Sequence, residues 1–269
     1  MRFVVISSIA AVCSLILAYL ISALFFRKNK EHMIRNVLVL FAGLYLAGGL
    51  FYFSIYNKAT PIGMSALESD DKVEVSRLEG KNGFFFDGPG TDKALIFYPG
   101  AKIATEAYAP LLHSLAADGV DAFVIDMPFH LAFFGRGKAA MVFDNYSYDH
   151  WYMGGHSLGG VMAAAYTSQN YEKNDIEGLI LMGSYPQSKV PESIAFYSVV
   201  GSEDHIMDLR QYEKNRVNWS ENAVEIIIEG GNHSQFANYG LQRGDGEASI
   251  TIEEQQKQTI DVIHEMTEN

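Results

Sequence analysis

A serine fenced by glycines constrains this chain more than any other feature. In Trp151-Tyr152-Met153-Gly154-Gly155-His156-Ser157-Leu158-Gly159-Gly160, an apolar run leads into the pentapeptide Gly155-His156-Ser157-Leu158-Gly159, and a helix-forming run through Tyr166 follows. That order predicts a strand, a sharp turn and a helix, with Ser157 at the tip and its hydroxyl above the carboxyl edge of a sheet. Side chains on the flanking residues would collide with the strand and the helix, so glycine belongs there. The pentapeptide alone would arise by chance about 0.1 times in a chain of this length. Its weight depends on whether the chain also supplies a base, an acid and an oxyanion site.

The surrounding pattern meets the architectural requirement. From Ala94 onward, short apolar runs alternate with helical ones: strands at 94–98, 121–126, 151–154, 179–183, 195–201 and 223–229, and helices at 105–118, 137–143, 158–170, 208–217 and 251–265. Such alternation predicts a mostly parallel sheet with helices on both faces. Lys72–Leu78 and Phe84-Phe85-Phe86, separated by a glycine turn, predict an antiparallel hairpin that opens the domain.

The N-terminal quarter is different. Phe3–Phe26 and Val37–Tyr56 carry no charge, and each is long enough to cross a hydrocarbon core of roughly 30 Å. A cleavable signal peptide would have a shorter apolar core and a small-residue cleavage site. The expectation is a transmembrane hairpin over 1–56 with spans 3–26 and 37–56, in which Gly43, Ala47 and Gly48 permit close helix approach. A juxtamembrane tether follows over 57–71, and the α/β domain over 72–269. The connector 27–36 holds Arg27, Lys28, Lys30 and Arg35, so the positive-inside bias makes it cytoplasmic and the domain extracytoplasmic in a multi-pass cell-membrane protein.

Charge and cysteine content narrow the chemistry. Residues 1–56 sum to +4 within a total of −12, which leaves −16 on the remainder. So acidic a body excludes nucleic acid as a partner, since phosphate neutralisation needs clustered lysine and arginine. Cys13 is the single cysteine, so there is neither an internal disulfide nor a thiolate metal site.

Reactive side chains collect where parallel strands end. Beyond Ser157, the strand 195–201 runs into Ser202-Glu203-Asp204-His205, and the strand 223–229 into Gly230-Gly231-Asn232-His233. A serine hydroxyl needs a base in contact, and that base needs a third group to fix its tautomer. His233, on a loop freed by two glycines, fits the base. Asp204 fits the acid ahead of its neighbour Glu203, and ahead of Asp126, which precedes the serine. The order serine, acid, histidine is that of enzymes whose nucleophile rides such a turn. His156 and the other histidines read as packing or surface residues. Two amides must face the developing oxyanion. Leu158 supplies one, and Ala101 in Pro99-Gly100-Ala101-Lys102 the other, with Lys102 the alternative.

Those segments, with Met127-Pro128-Phe129, Leu131-Ala132-Phe133-Phe134-Gly135, Glu229-Gly230-Gly231-Asn232-His233-Ser234-Gln235-Phe236 and Gly244-Asp245-Gly246-Glu247-Ala248, resemble the small bacterial α/β hydrolases distantly related to dienelactone hydrolase. The likeness spans roughly residues 60–269. It implies an α/β-hydrolase fold, the triad Ser157, Asp204 and His233, and an N-terminal membrane anchor. The paired spans exceed the usual single anchor, and Ala101 stands where a glycine is common. The expected activity is carboxylesterase-type cleavage of a small or lipid-like ester through an acyl-enzyme, with no metal or organic cofactor. The other readings are acyl transfer or amide hydrolysis by the same triad, and a tethered binding protein without turnover. Only about a dozen residues separate the strands 179–183 and 195–201, too few for a large lid. The loop 127–137, with Phe129, Phe133 and Phe134, is a candidate pocket wall.

Overall fold

The apolar strands dictate a sheet buried on both sides, and the computed structural model shows one of eight strands. It describes residues 2–25, 33–90 and 92–268. The chain divides into two units, Met1–Ile55 and Tyr56–Asn269.

The first unit is a pair of helices, α1 (Arg2–Phe25) and α2 (Met33–Ser54), packed against one another. Among the described residues one helix, Ile34–Ser54, is long and apolar enough to cross a membrane; on α1 the apolar stretch is Ala10–Leu24. The pair of spans expected from the sequence thus has one candidate. Residues 27–32 of the basic connector lie outside the described residues. Among the described residues Gly43 and Gly48 mark no close approach: a Cβ on either would meet nothing within 4 Å.

The second unit begins earlier than the sequence suggests. Residues 57–71, expected as a tether, are folded onto it. Asn57 bridges in parallel to Ile103, and the Thr60 amide donates to the Asn238 carbonyl at 2.8 Å. Thr60 then caps the short helix α3 (Pro61–Ser65) by accepting from the Gly63 amide, with proline in the first turn where its missing N–H costs nothing.

The sheet runs β1 (Glu74–Arg77), β2 (Gly83–Asp87), β4 (Asp121–Ile125), β3 (Lys93–Tyr98), β5 (His150–His156), β6 (Ile176–Met182), β7 (Ala195–Gly201) and β8 (Val224–Ile228). β2 is antiparallel to both β1 and β4; every other pairing is parallel. Side chains alternate across it. Leu95, Phe97, Ile180 and Val199 face α4 (Ala109–Ala117) and α8 (Ile252–Glu268), whose Leu112 and Ile263 share their core. Ile96, Tyr98, Met153 and Leu181 face α6 (Leu158–Asn170), with its Ala163 and Tyr166. α8 earns its place by amphipathicity, burying Ile260, Ile263 and Met266 at helical spacing.

The helix expected over 105–118 is split. A 3-10 turn, Thr105–Tyr108, precedes α4, because Pro110 lacks an N–H and fits only the first turn of a helix. With α7 (Leu209–Asn215) joining β7 to β8 and α5 (Ala140–Phe143) following β4, the chain crosses to the far side of β3 before β5. The strand order therefore reverses at β3, with β4 on one flank and β5 on the other. At such a switch point the carboxyl ends of neighbouring strands diverge and leave a crevice. Tyr98 and Gly155 are paired at that edge.

Candidate active site

Ser157 links β5 to α6 with φ 54° and ψ −125°, a left-handed conformation that a serine adopts only under constraint. The constraints are visible. Its amide donates to the Met182 carbonyl at 2.9 Å, and its carbonyl accepts from the Ser184 hydroxyl at 2.7 Å. The glycines have the steric task expected of them. A Cβ on Gly159 would lie 2.1 Å from the Tyr98 carbonyl oxygen and 2.4 Å from that of Pro99; one on Gly155 would lie 2.7 Å from the backbone of Gly159 and Gly160. The first turn of α6 is thus pressed directly onto the end of β3.

At the neighbouring strand ends, Asp204 and His233 meet. His233 Nδ1 and Asp204 Oδ2 are 2.7 Å apart, and both side chains are buried. The second carboxylate oxygen accepts the amides of Ile206 at 2.9 Å and Met207 at 2.8 Å. An aspartate so held keeps its lone pairs occupied and its orientation fixed. The pair sits over Gly183, where β6 ends. A Cβ there would come within 2.7 Å of His233 Nδ1, and the backbone has φ +51°. Because Ser157 is hydrogen-bonded to Met182, the serine and the pair converge on the same strand end. No hydrogen bond joins the Ser157 hydroxyl to His233; such bonds commonly tighten only when substrate is bound. Glu203 accepts from the Ser202 hydroxyl, and Asp126 pairs with Arg77, so neither rival acid reaches the histidine.

The two proposed amides differ from their alternative in one respect. Leu158 N is the first amide of α6, Ala101 N lies in the turn after β3, and neither has a hydrogen-bond partner among the described residues. Lys102 N, the alternative, donates to the His130 carbonyl at 2.7 Å and is unavailable. This contact depends on a loop in which Phe129 and His130 both have positive φ, near 55°.

Two residues passed over in the sequence complete the site. The Gly100 amide donates to Tyr108 Oη at 2.8 Å, and Oη lies 2.8 Å from His156 Nδ1. Tyr108 thus joins the Gly100 amide to the His156 ring through a single buried hydroxyl. The His156 ring lies 4.4 Å from that of His233, centroid to centroid. Burial, reinforced by His233, holds its pKa well below the usual histidine range, so it is neutral. The His233 carbonyl favours a proton on His156, yet no hydrogen bond of normal geometry reaches Nε2. His156 is therefore a buried spacer between the turn after β3 and His233. Its position inside the pentapeptide was legible, but its link to Tyr108, 48 residues away, was not.

Phe129, Phe133 and Phe134, the candidate pocket wall, are about half exposed or more, and Phe134 meets each of the other two edge to face. A cavity of about 490 Å³ lies beside the histidine loop, lined by Asn232, Ser234, Gln235, Leu241, Glu247 and Ile252; Ser157 is not part of it.

Comparison with known proteins agrees with this architecture. The model of a family described as the alpha/beta hydrolase family matches residues 94–257. No curated protein matches the chain. Among solved structures, TT1662 from Thermus thermophilus is similar with a TM-score of 0.54 at 14% identity, over 74% of this chain and 99% of that one. A hyperthermophilic esterase from the archaeon Pyrobaculum calidifontis gives 0.54 at 16%, over 77% and 90%. A soluble variant of monoglyceride lipase from Saccharomyces cerevisiae gives 0.52 at 12%, over 74% and 96%. At these identities the likeness is one of fold.

Proposed function

The chain belongs to the alpha/beta hydrolase family, and on that footing we propose that it is a serine hydrolase of carboxylesterase type. The observation that carries the reading is the buried His233–Asp204 pair, 2.7 Å apart, meeting a strained serine at one strand end. In this mechanism His233 Nε2 takes the proton from Ser157 Oγ as the oxygen attacks the ester carbonyl. Asp204 keeps the Nδ1 proton directed at itself and stabilises the imidazolium. The tetrahedral oxyanion accepts from the Leu158 and Ala101 amides, at the positive end of α6. Collapse breaks the C–O bond to the leaving alcohol, which receives the proton from His233 and leaves an acyl-enzyme on Ser157. Water, deprotonated by the same histidine, then attacks that acyl group and releases the acid and free Ser157. The chemistry requires no metal or organic cofactor. An esterase and a monoglyceride lipase among the fold neighbours suit ester cleavage on this scaffold.

The membrane reading belongs to the same proposal. α1 and α2 cross a cell membrane as a hairpin, the basic residues Arg27, Lys28, Lys30 and Arg35 stay cytoplasmic, and the second unit works outside on a small or amphiphilic ester. The support is the apolar length of Ile34–Ser54 and the charge-free run that precedes the connector. A reporter fused after Asn269 and active solely in the cytoplasm would reverse this orientation.

A fluorophosphonate probe tests the catalytic reading. Wild type is expected to be labelled, and Ser157→Ala is not. A folded wild type that resists the probe points instead to the tethered binding protein. An acyl acceptor that outcompetes water, or an amide cleaved faster than its ester, would redirect the reading to acyl transfer or amide hydrolysis by the same residues.

A further inference from the structure

Gly244-Asp245-Gly246 has no part in the mechanism above, yet it lies across the two loops that carry the acid and the base. Every lone-pair direction of the Asp245 carboxylate is used. Oδ1 accepts the His205 amide at 3.2 Å and the Gly246 amide at 2.9 Å. Oδ2 accepts the Ser234 amide at 2.8 Å and the Ser234 hydroxyl at 2.6 Å. His205 is the residue after Asp204, and Ser234 the residue after His233. One carboxylate therefore grips both loops one residue beyond each functional side chain.

The strap around it is equally fitted. The Gly246 carbonyl accepts from Asn232 Nδ2 at 2.7 Å, on the other side of His233. A Cβ on Gly246 would stand 2.2 Å from the Glu203 carbonyl oxygen, on the other side of Asp204. Ser234 Oγ also accepts the Gln242 amide at 2.9 Å, closing the strap on the histidine loop. The residues before and after both Asp204 and His233 thus touch the same short segment.

We propose that Asp245 is a positioning residue for this chemistry: it sets the separation of Asp204 and His233 by holding their neighbours, and touches neither substrate nor reacting atoms. The proposal rests on the serine-hydrolase reading for its kinetic consequence, and on the hydrogen bonds alone for its structural one. Bonds to charged acceptors are the strong ones, and loss of alignment between acid and base enters turnover before binding.

The test uses the full-length protein and Asp245→Asn, whose amide nitrogen cannot accept from a backbone N–H. On an ester that the wild type cleaves, kcat is expected to fall about 10- to 100-fold with KM within about threefold, because a misplacement of about 1 Å can cost about 10²-fold. In an Asp204→Ala background the same substitution is expected to change kcat by less than about twofold, since the group whose position it sets is gone. A role confined to general stability would lower both backgrounds alike, and that result overturns the proposal, as does an unchanged kcat in folded Asp245→Asn. The low-field proton signal of the His233–Asp204 hydrogen bond, identified by its absence in Asp204→Ala, reads the same geometry without turnover. It is expected to broaden or vanish in Asp245→Asn, and its persistence overturns the proposal even if the wild type proves inert toward esters. If Asp245→Asn does not fold, Ser234→Ala removes only the hydroxyl contacts and is expected to shift the signal and kcat in the same direction by less; no shift in either overturns the proposal.

Discussion

Replacing Gly159 with alanine would force apart the two elements that create the proposed oxyanion site. The added Cβ would stand 2.1 Å from the Tyr98 carbonyl oxygen and 2.4 Å from that of Pro99, both backbone atoms, whereas real Cβ contacts essentially never fall below 3.0 Å. The start of α6 and the end of β3 must therefore separate by about 0.9 Å. The Leu158 amide travels with α6 and the Ala101 amide with the turn after β3, so the same movement widens the gap between the donors. A misplacement of this size costs about 10²-fold in rate, and loss of one donor about 10²–10³-fold. Overpacking itself costs about 1–3 kcal/mol, so the protein is expected to remain folded with a lowered Tm. Turnover of a p-nitrophenyl ester and the rate of fluorophosphonate labelling measure the effect, since both need attack by Ser157 and the same donors. Gly137→Ala is the control, because a Cβ there meets nothing within 4 Å. A folded Gly159→Ala protein that labels and turns over within about threefold of wild type would refute the argument that helix and turn share one tight contact.

Two further outcomes follow from the site. Gly183→Ala places a methyl group 2.7 Å from His233 Nδ1 and 3.0 Å from Asp204 Oδ2 at φ +51°, so turnover should collapse; Gly119→Ala, strained at φ +99° but with open space around it, should lose stability alone. Equal kinetic losses in the two would show that backbone strain, not the crowded pair, is responsible. His156 is held neutral by burial, with a folded pKa well below its unfolded value. Below about pH 6.5 the unfolded chain binds a proton that the folded chain refuses, so stability is fully present above that pH and falls as pH drops, by up to on the order of 1 kcal/mol per unit. Denaturant unfolding between pH 7.5 and pH 5 should show a shallower decline in His156→Gln, and parallel curves would be inconsistent with a buried neutral His156.

The strand-turn-helix at Ser157 was readable because its information is local: glycines at fixed offsets, an apolar run before and a helix former after. The meeting of Asp204 with His233 was readable for a different reason, since consecutive parallel strands end at one edge of a sheet and their following loops are forced together. Contacts that join distant parts of the chain were not readable. Nothing near residue 130 announces that its carbonyl occupies the Lys102 amide, a contact made by two residues at positive φ. Tyr108 reads as one more apolar residue of a helix, although its hydroxyl fastens Gly100 and contacts His156. The segment 57–71 looked like a tether because its small and polar residues carry no periodicity, and a helix as short as α3 shows its cap before it shows a face.

The stitch made by residues 57–60 has a mechanical meaning. Asn57 donates to the Lys102 carbonyl at 2.7 Å and accepts from the Ala104 amide at 2.9 Å, and Thr60 bonds to Asn238 just beyond the histidine loop. Four consecutive residues thus clasp the turn after β3 at one end and the segment following His233 at the other. Tension along the chain between α2 and Asn57 would load those hydrogen bonds before it reached the sheet. A proteolytic nick after Ile55 would leave the clasp whole, whereas one between Asn57 and Thr60 would sever the covalent link between its two ends while sparing every strand.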